Sequence, residues 1–365
     1  MHLTAKKVEI MPTDLDDVSE ASVLTLIWHI TKRCNLLCKY CSTNSSIKAD
    51  YGPSHAEAKR IVDMINRSEV AYVSLIGGEP LIREDIIDII MQMKDGIAIS
   101  IDTNGILLQE KLKREVYNKI DHVNISVDGP SSIHNSMRGG YAKVIENMKW
   151  AVKNGIRVGS TITISEYNID YLEQTVRELA SIGVQTIGFN RIRGLGRNLK
   201  DMYSLGDDQG TLEKVKENAK LAKSLGVNKT IINGWYDYEE EDAPSDLEDA
   251  KLSCYCGMYR ASLRWDGSLL PCNFLVYDNI YEKVIKAYRV PKVSEFNDID
   301  EVLETDLFTD FRKATTETLP EGCDGCVALK FCSRGCRGES FAAGLGLDGP
   351  NVHCNRSLQK VNAIA

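Results

Sequence analysis

No apolar run in this chain approaches the roughly 18–20 residues needed to cross a bilayer, which argues against a membrane-spanning helix. The apolar core of a signal peptide is missing too, since residues 1–18 alternate charged and apolar side chains. The chain is therefore expected in the cytoplasm, with no membrane partner. Positive charge is not in excess: 44 Lys and Arg stand against 52 Asp and Glu, a formal charge of −8. A general nucleic-acid binder needs the opposite balance, so no nucleic-acid partner is expected, although a locally basic pocket remains compatible. Internal repeats and low-complexity tracts are also absent. A composition of 43% hydrophobic and 26% charged residues excludes disorder and collagen-like assembly.

What the chain does have is cysteine. Eleven cysteines, an odd number without a secretion signal, fit a disulfide framework poorly, because the cytosol keeps thiols reduced. Metal or redox chemistry is the better reading. At 365 residues the chain exceeds what one hydrophobic core usually organises, so two domains or one enlarged barrel are expected.

Apolar runs predict strands over residues 23–30, 70–76, 97–101, 122–127, 158–164 and 184–189. Amphipathic stretches between them, at 55–67, 85–93, 109–118, 142–154 and 171–182, predict helices. Six strands alternating with helices imply a parallel sheet, as an open sheet or a partial barrel. In both, functional groups belong in the loops after the strands' C-terminal ends. The rhythm changes after Gly206: a helix is predicted near 211–225, a short strand near 230–232, then an acidic stretch at 238–249. That stretch reads as a solvated linker or a docking site. Residues 261–265 and 269–270, joined by Asp266-Gly267, read as a hairpin. Beyond it, few helix or strand signals appear outside 300–315, so something other than a large core must hold the segment together.

Just after the first strand lies Cys34-x3-Cys38-x2-Cys41, with Tyr40 before the third cysteine. Three thiolates on one short loop can hold three irons of a 4Fe-4S cluster and leave the fourth iron open. A zinc loop borrowing a distant fourth ligand is the alternative. The pattern resembles the hallmark of the radical S-adenosylmethionine (SAM) superfamily. That resemblance implies a partial (β/α)6 TIM-like barrel within an α/β chain, and a cluster whose open iron chelates the amino and carboxylate groups of SAM. One electron then cleaves SAM to methionine and a 5′-deoxyadenosyl radical that abstracts hydrogen from substrate.

Further positions extend the resemblance in order over residues 22–197. Gly77-Gly78-Glu79-Pro80 follows the second strand, and the family uses this loop, especially the Glu, to hold the SAM ammonium group. Thr103-Asn104-Gly105 and Ser126-Val127-Asp128-Gly129 follow the third and fourth strands. By resemblance, Asn104 and Ser126 would meet the ribose and methionine moieties, with loop capping as the alternative. Arg138 would meet the SAM carboxylate, for which its charge and planar fork are suited.

The last third carries Cys254, Cys256, Cys272, Cys323, Cys326, Cys332, Cys336 and Cys354. This run resembles the SPASM extension, whose members carry two auxiliary 4Fe-4S clusters, making three 4Fe-4S clusters in all. The resemblance implies an outer cluster on Cys323, Cys326, Cys332 and Cys354, and an inner one on Cys254, Cys256, Cys272 and Cys336. A two-zinc reading stays open. Cys254 and Cys256 are separated by one residue, closer than in many relatives, so one of them is an alternative free thiol able to donate hydrogen. In sulfatase-maturing members an Asp base follows the cysteine of the Gly-x4-Cys element; here Asn273 stands there and cannot accept a proton. Arg191, Arg193 and Arg197 follow the sixth strand, either to hold carboxylates or as a basic surface turn.

The expected organisation is a lead-in at 1–21, a barrel at 22–235, an acidic linker at 236–253 and a SPASM domain at 254–365. The expected activity is radical chemistry on a peptide, by crosslinking, oxidation or epimerisation. The alternatives are the same chemistry on a sugar-like or tetrapyrrole small molecule, or a non-catalytic electron carrier. The resemblance implies a reducing partner such as flavodoxin or ferredoxin. With no N-terminal extension long enough for a leader-binding domain, a separate leader-peptide-binding protein is expected for peptide work.

Overall fold

Successive strands place apolar residues on one face and small polar ones on the other, and this alternation builds the fold. The computed structural model describes residues 22–198, 208–234, 254–320, 323–326, 335–350 and 352. The predicted lead-in at 1–21, the acidic linker at 236–253, Cys332 and Cys354 lie outside these.

The described elements run β1 (Thr25–Thr31), α1 (His55–Arg67), β2 (Tyr72–Gly77), α2 (Ile86–Gln92), β3 (Ala98–Thr103), α3 (Leu108–Lys111) and β4 (His122–Ser126). Then come α4 (Ser131–Met137), α5 (Tyr141–Lys153), β5 (Val158–Ile164), α6 (Leu172–Ile182), β6 (Thr186–Arg191), α7 (Asp208–Ser224) and β7 (Lys229–Asn233). The remainder holds β8 (Arg260–Leu263), β9 (Leu269–Leu270), α8 (Asp278–Ala287), α9 (Asp306–Thr316) and α10 (Arg337–Ala342).

The sheet order is β7-β6-β5-β4-β3-β2-β1-β8-β9, parallel throughout except for β8–β9. Its helix-facing side buries Leu26, Trp28, Leu75, Ile101, Ile125 and Phe189 in the main apolar core. Its inner side carries Ser74, Asp102, Asn124 and Thr161, hydrogen-bonded strand to strand across β2–β5. A barrel built this way has an apolar jacket and a polar lumen. Helix α1 shows how the jacket forms locally: Ser54 and Glu57 make a reciprocal N-terminal cap, and Ala58, Ile61, Val62 and Ile65 face the sheet.

Two differences from the sequence reading matter. The six expected strands are joined in one sheet by the short strand expected near 230–232, which is β7 and runs parallel to β6, and by the predicted hairpin, whose β8 pairs in parallel with β1. The C-terminal segment is also less irregular than expected. Helices α8 and α10 and an apolar cluster of Trp265, Leu270, Leu275, Ile280, Val284 and Phe311 give it a small core. No helix among the described residues is long and apolar enough to cross a membrane.

Candidate active site and cysteine centres

A cavity of about 280 Å³ opens at the C-terminal ends of the strands. Cys34, Cys38 and Cys41 all line it, together with Tyr40, Gly77, Gly78, Asn104, Ser126 and Arg138. Of the residues expected around SAM, only Glu79 is absent from this wall. The glycines are needed because a Cβ on Gly77 would run into the Thr31 carbonyl and one on Gly78 into the Arg33 carbonyl. The backbone N–H groups of Gly78 and Glu79 bond those same two carbonyls, stapling the loop to the end of β1 where the cysteine loop begins.

Glu79 is fully buried. It accepts bonds from Leu81 N at 3.0 Å, Thr103 Oγ1 at 2.8 Å and Asn104 N at 2.8 Å. Burial outweighs these three bonds and pushes its pKa up to about 7. Its contact is thus with the loop after β3. Through that loop it reaches the cysteines, for Asn104 Nδ2 lies 2.8 Å from Asn35 Oδ1 and 3.8 Å from Cys34 Sγ.

Arg138 is held by Asp128, with Nε 2.5 Å from a carboxylate oxygen. The same carboxylate accepts from the Tyr40 hydroxyl, and the guanidinium lies over the Tyr40 ring beside Cys38. Asp128 also accepts from Thr163 N at 2.8 Å, so this fully buried residue ties three cavity elements together. Its role was not evident in the sequence, because Tyr40 and Arg138 meet only in the fold. Asp102, Thr163, Asn190 and Tyr277 line the cavity as well. All but Tyr277 fall on inward-facing strand positions, which is the signal that could have found them.

The three arginines after β6 separate by role. Arg197 donates to the Cys38 carbonyl at 2.9 Å and to the Ser45 carbonyl at 2.7 Å, clamping the cysteine loop from behind. Gly196 lies so close to the Cys41 and Ser42 carbonyls, at a φ of +55°, that no side chain fits there. Arg193 pairs with Glu339 at 2.6 Å and, like Arg191, lines the cavity.

The thiol surroundings suit cluster ligation. Cys34 Sγ accepts from Leu36 N and Cys41 Sγ from Ser45 N, both at 3.4 Å, and Cys272 Sγ accepts from Phe274 N at 3.3 Å. Such donors stabilise a thiolate. Burial pushes Cys34 and Cys336 each up to about 12 and also raises Cys38, so these thiols need a bound cation to deprotonate them. In the second group Cys254 lies beside Cys256, Cys256 beside Cys272, and Cys336 near Cys254. The cysteines assigned to the inner cluster are thus brought together. Among the described residues no three such side chains close around a single ion. Cys323 and Cys326 are linked by a backbone hydrogen bond.

The family model of the Radical SAM superfamily matches residues 28–179, and that of the SPASM iron-sulfur cluster-binding domain matches residues 254–327. Mycofactocin maturase MftC of Mycolicibacterium smegmatis is 24% identical over 342 residues, covering 91% of this chain and 82% of that protein. Pre-heme d1 synthase of Dinoroseobacter shibae is 30% identical over 182 residues, 48% of this chain and 45% of that protein. The crystal structure of Streptococcus suis SuiB bound to S-adenosylmethionine superposes with a TM-score of 0.72 at 16% identity, covering 92% of this chain and 77% of that one.

Proposed function

The chain belongs to the radical SAM superfamily and carries a SPASM iron-sulfur domain, and from that premise we propose that it is an enzyme that modifies a peptide. When bound, the cluster and SAM supply the one-electron cleavage that yields a hydrogen-abstracting radical. The chain's own residues hold and orient these groups. Cys34, Cys38 and Cys41 ligate the first cluster at the cavity wall. Arg138, fixed by Asp128 through Nε and stacked on Tyr40, would offer its remaining N–H groups to the SAM carboxylate. Gly77 and Gly78 admit the ligand to the backbone, and Asn104 and Ser126 offer polar groups to its remaining edges. Glu79 fixes the loop that carries Asn104. Cys254, Cys256, Cys272 and Cys336 ligate an inner auxiliary cluster, and Cys323, Cys326, Cys332 and Cys354 an outer one.

The observation that supports the peptide reading is a solved structure of the same fold with a peptide in place. Coverage alone does not separate the classes, because the maturase and the AdoMet-dependent heme synthase of Oleidesulfovibrio alaskensis each match across 91% of this chain. A SuiB structure holding the precursor peptide SuiA has the same fold, with a TM-score of 0.70. The test is anaerobic incubation of the reconstituted protein with SAM, a reductant and short peptides encoded beside its gene, followed by mass spectrometry. Loss of two hydrogens, or deuterium uptake at one residue, is expected. Turnover confined to tetrapyrrole or sugar substrates would count against it.

A further inference from the structure

We propose that the cavity wall formed by Tyr277, Ser42, Arg191 and Arg193 binds a carboxylate group of the substrate. This deepens the reading above and rests on it. All four residues line the cavity, on the stretch bounded by Cys41 of the first group. Tyr277 is delivered there by the segment that follows Cys272 and leads into α8.

The direction of its hydroxyl is set from behind. His29 Nε2 lies 2.5 Å from Asn273 Oδ1, and a carbonyl oxygen only accepts, so His29 is the donor. The ring is fully buried and burial lowers its pKa to about 4, which keeps it neutral with Nε2 carrying the proton. With its oxygen engaged, Asn273 turns its amide N–H toward the Tyr277 hydroxyl, at 3.4 Å. The tyrosine oxygen accepts that bond, leaving its own proton for a ligand in the cavity that it lines. Every link from His29 onward therefore donates toward the cavity. Where sulfatase-maturing relatives have a base, this chain presents a hydrogen-bond donor.

The two arginines are complementary to the same kind of group. Arg193 lies over the Phe274 ring, braced by Glu339 on α10, and Arg191 ends β6. Arg138 is a separate cation, tied to Asp128 beside Cys38. A hydroxyl donor flanked by guanidinium groups suits a carboxylate better than an ammonium or a neutral amide.

The test uses the cluster-loaded protein saturated with SAM, so that the SAM carboxylate already occupies its own site. N-acetyl-L-phenylalanine and its primary amide are compared as probes by ligand-observed NMR. The acid should bind at least about tenfold more tightly than the amide, as charge-assisted bonds to the wall require. Tyr277→Phe and Arg191→Gln should each reduce that preference several-fold. Equal binding of acid and amide, no binding of the acid, or an unchanged preference in Arg191→Gln would overturn the proposal. If Tyr277→Phe fails to fold, the wild-type and Arg191→Gln measurements still decide. Iron content and SAM affinity on the same samples separate this failure from failure of the radical SAM reading itself.

Discussion

Glu79 joins the motif to the loop after β3. The motif implies a carboxylate facing an ammonium group; in the fold it faces three protein donors. Glu79→Gln keeps the size but replaces one acceptor oxygen with a donor, leaving Asn104 N or Thr103 Oγ1 unpaired at about 1–3 kcal/mol. SAM affinity measured by calorimetry should fall about tenfold, the equivalent of roughly 1.4 kcal/mol, with iron content unchanged. Unaltered affinity would mean that the loop after β3 does not depend on this carboxylate. A pH effect follows from its burial. The folded chain holds the Glu79 proton up to about pH 7, against an ordinary value of 4.5. Its stabilising contribution is then full below the ordinary value and is lost as pH rises through the folded one. Wild-type stability toward urea should therefore decline relative to Glu79→Gln between about pH 5 and pH 8. A constant difference across that range would contradict this. Gly77, Gly78, Asn104 and Ser126 were legible as cavity residues because each stands at or just after the end of a readable strand, whereas Arg138, at the end of α4, was read only from the resemblance. The direction of Glu79 and the importance of Asp128 were not, because both depend on partners from other loops.

At the scale of elements, the loop after β6 acts on the loop after β1. Arg197 bonds the Cys38 and Ser45 carbonyls and Gly196 packs on the Cys41 carbonyl, so the conformation of the cysteine loop is held from outside. Arg197→Ala should lower occupancy of the first cluster, read as iron content and as loss of its reduced electron paramagnetic resonance signal. Full iron with an intact signal would show that the loop keeps its shape unaided. The pair Cys254 and Cys256 gives a second test. They lie beside each other, and Cys256 beside Cys272, so both belong to one group of thiols. Cys254→Ala and Cys256→Ala should each lower iron content; full retention in either would mark that thiol as free. Of the helices, α1 and α6 were legible from apolar residues at helical spacing. Helix α4 was not, because its sequence is mostly Ser, Asn and His and only His134 and Met137 are buried. Helix α8 was missed because it buries only Ile280 and Val284.

At the scale of the whole molecule, the parallel sheet was legible from strands alternating with helical stretches, whereas its polar lumen and the join between the two halves were not. The pairing of β8 with β1 connects residues more than two hundred positions apart, and no local pattern encodes it. Ile299, Val302, Leu303 and Phe308 from the C-terminal segment also enter the main core. A chain ending at residue 253 would lose these and expose the β1 edge, so it should not give a soluble, cooperatively unfolding barrel. A stable, monodisperse truncated protein would show that the halves are separable.

The central claim is that Cys34, Cys38 and Cys41 hold a cluster that cleaves SAM. It is tested most directly by anaerobic reconstitution, reduction with dithionite and addition of SAM, with 5′-deoxyadenosine and methionine measured by mass spectrometry. The protein should carry about twelve irons, four in each of three clusters, and form 5′-deoxyadenosine. The variant with Cys34, Cys38 and Cys41 all changed to Ala should lose about four irons and form none. Stoichiometric zinc without sulfide, and no 5′-deoxyadenosine from the intact protein, would contradict the account.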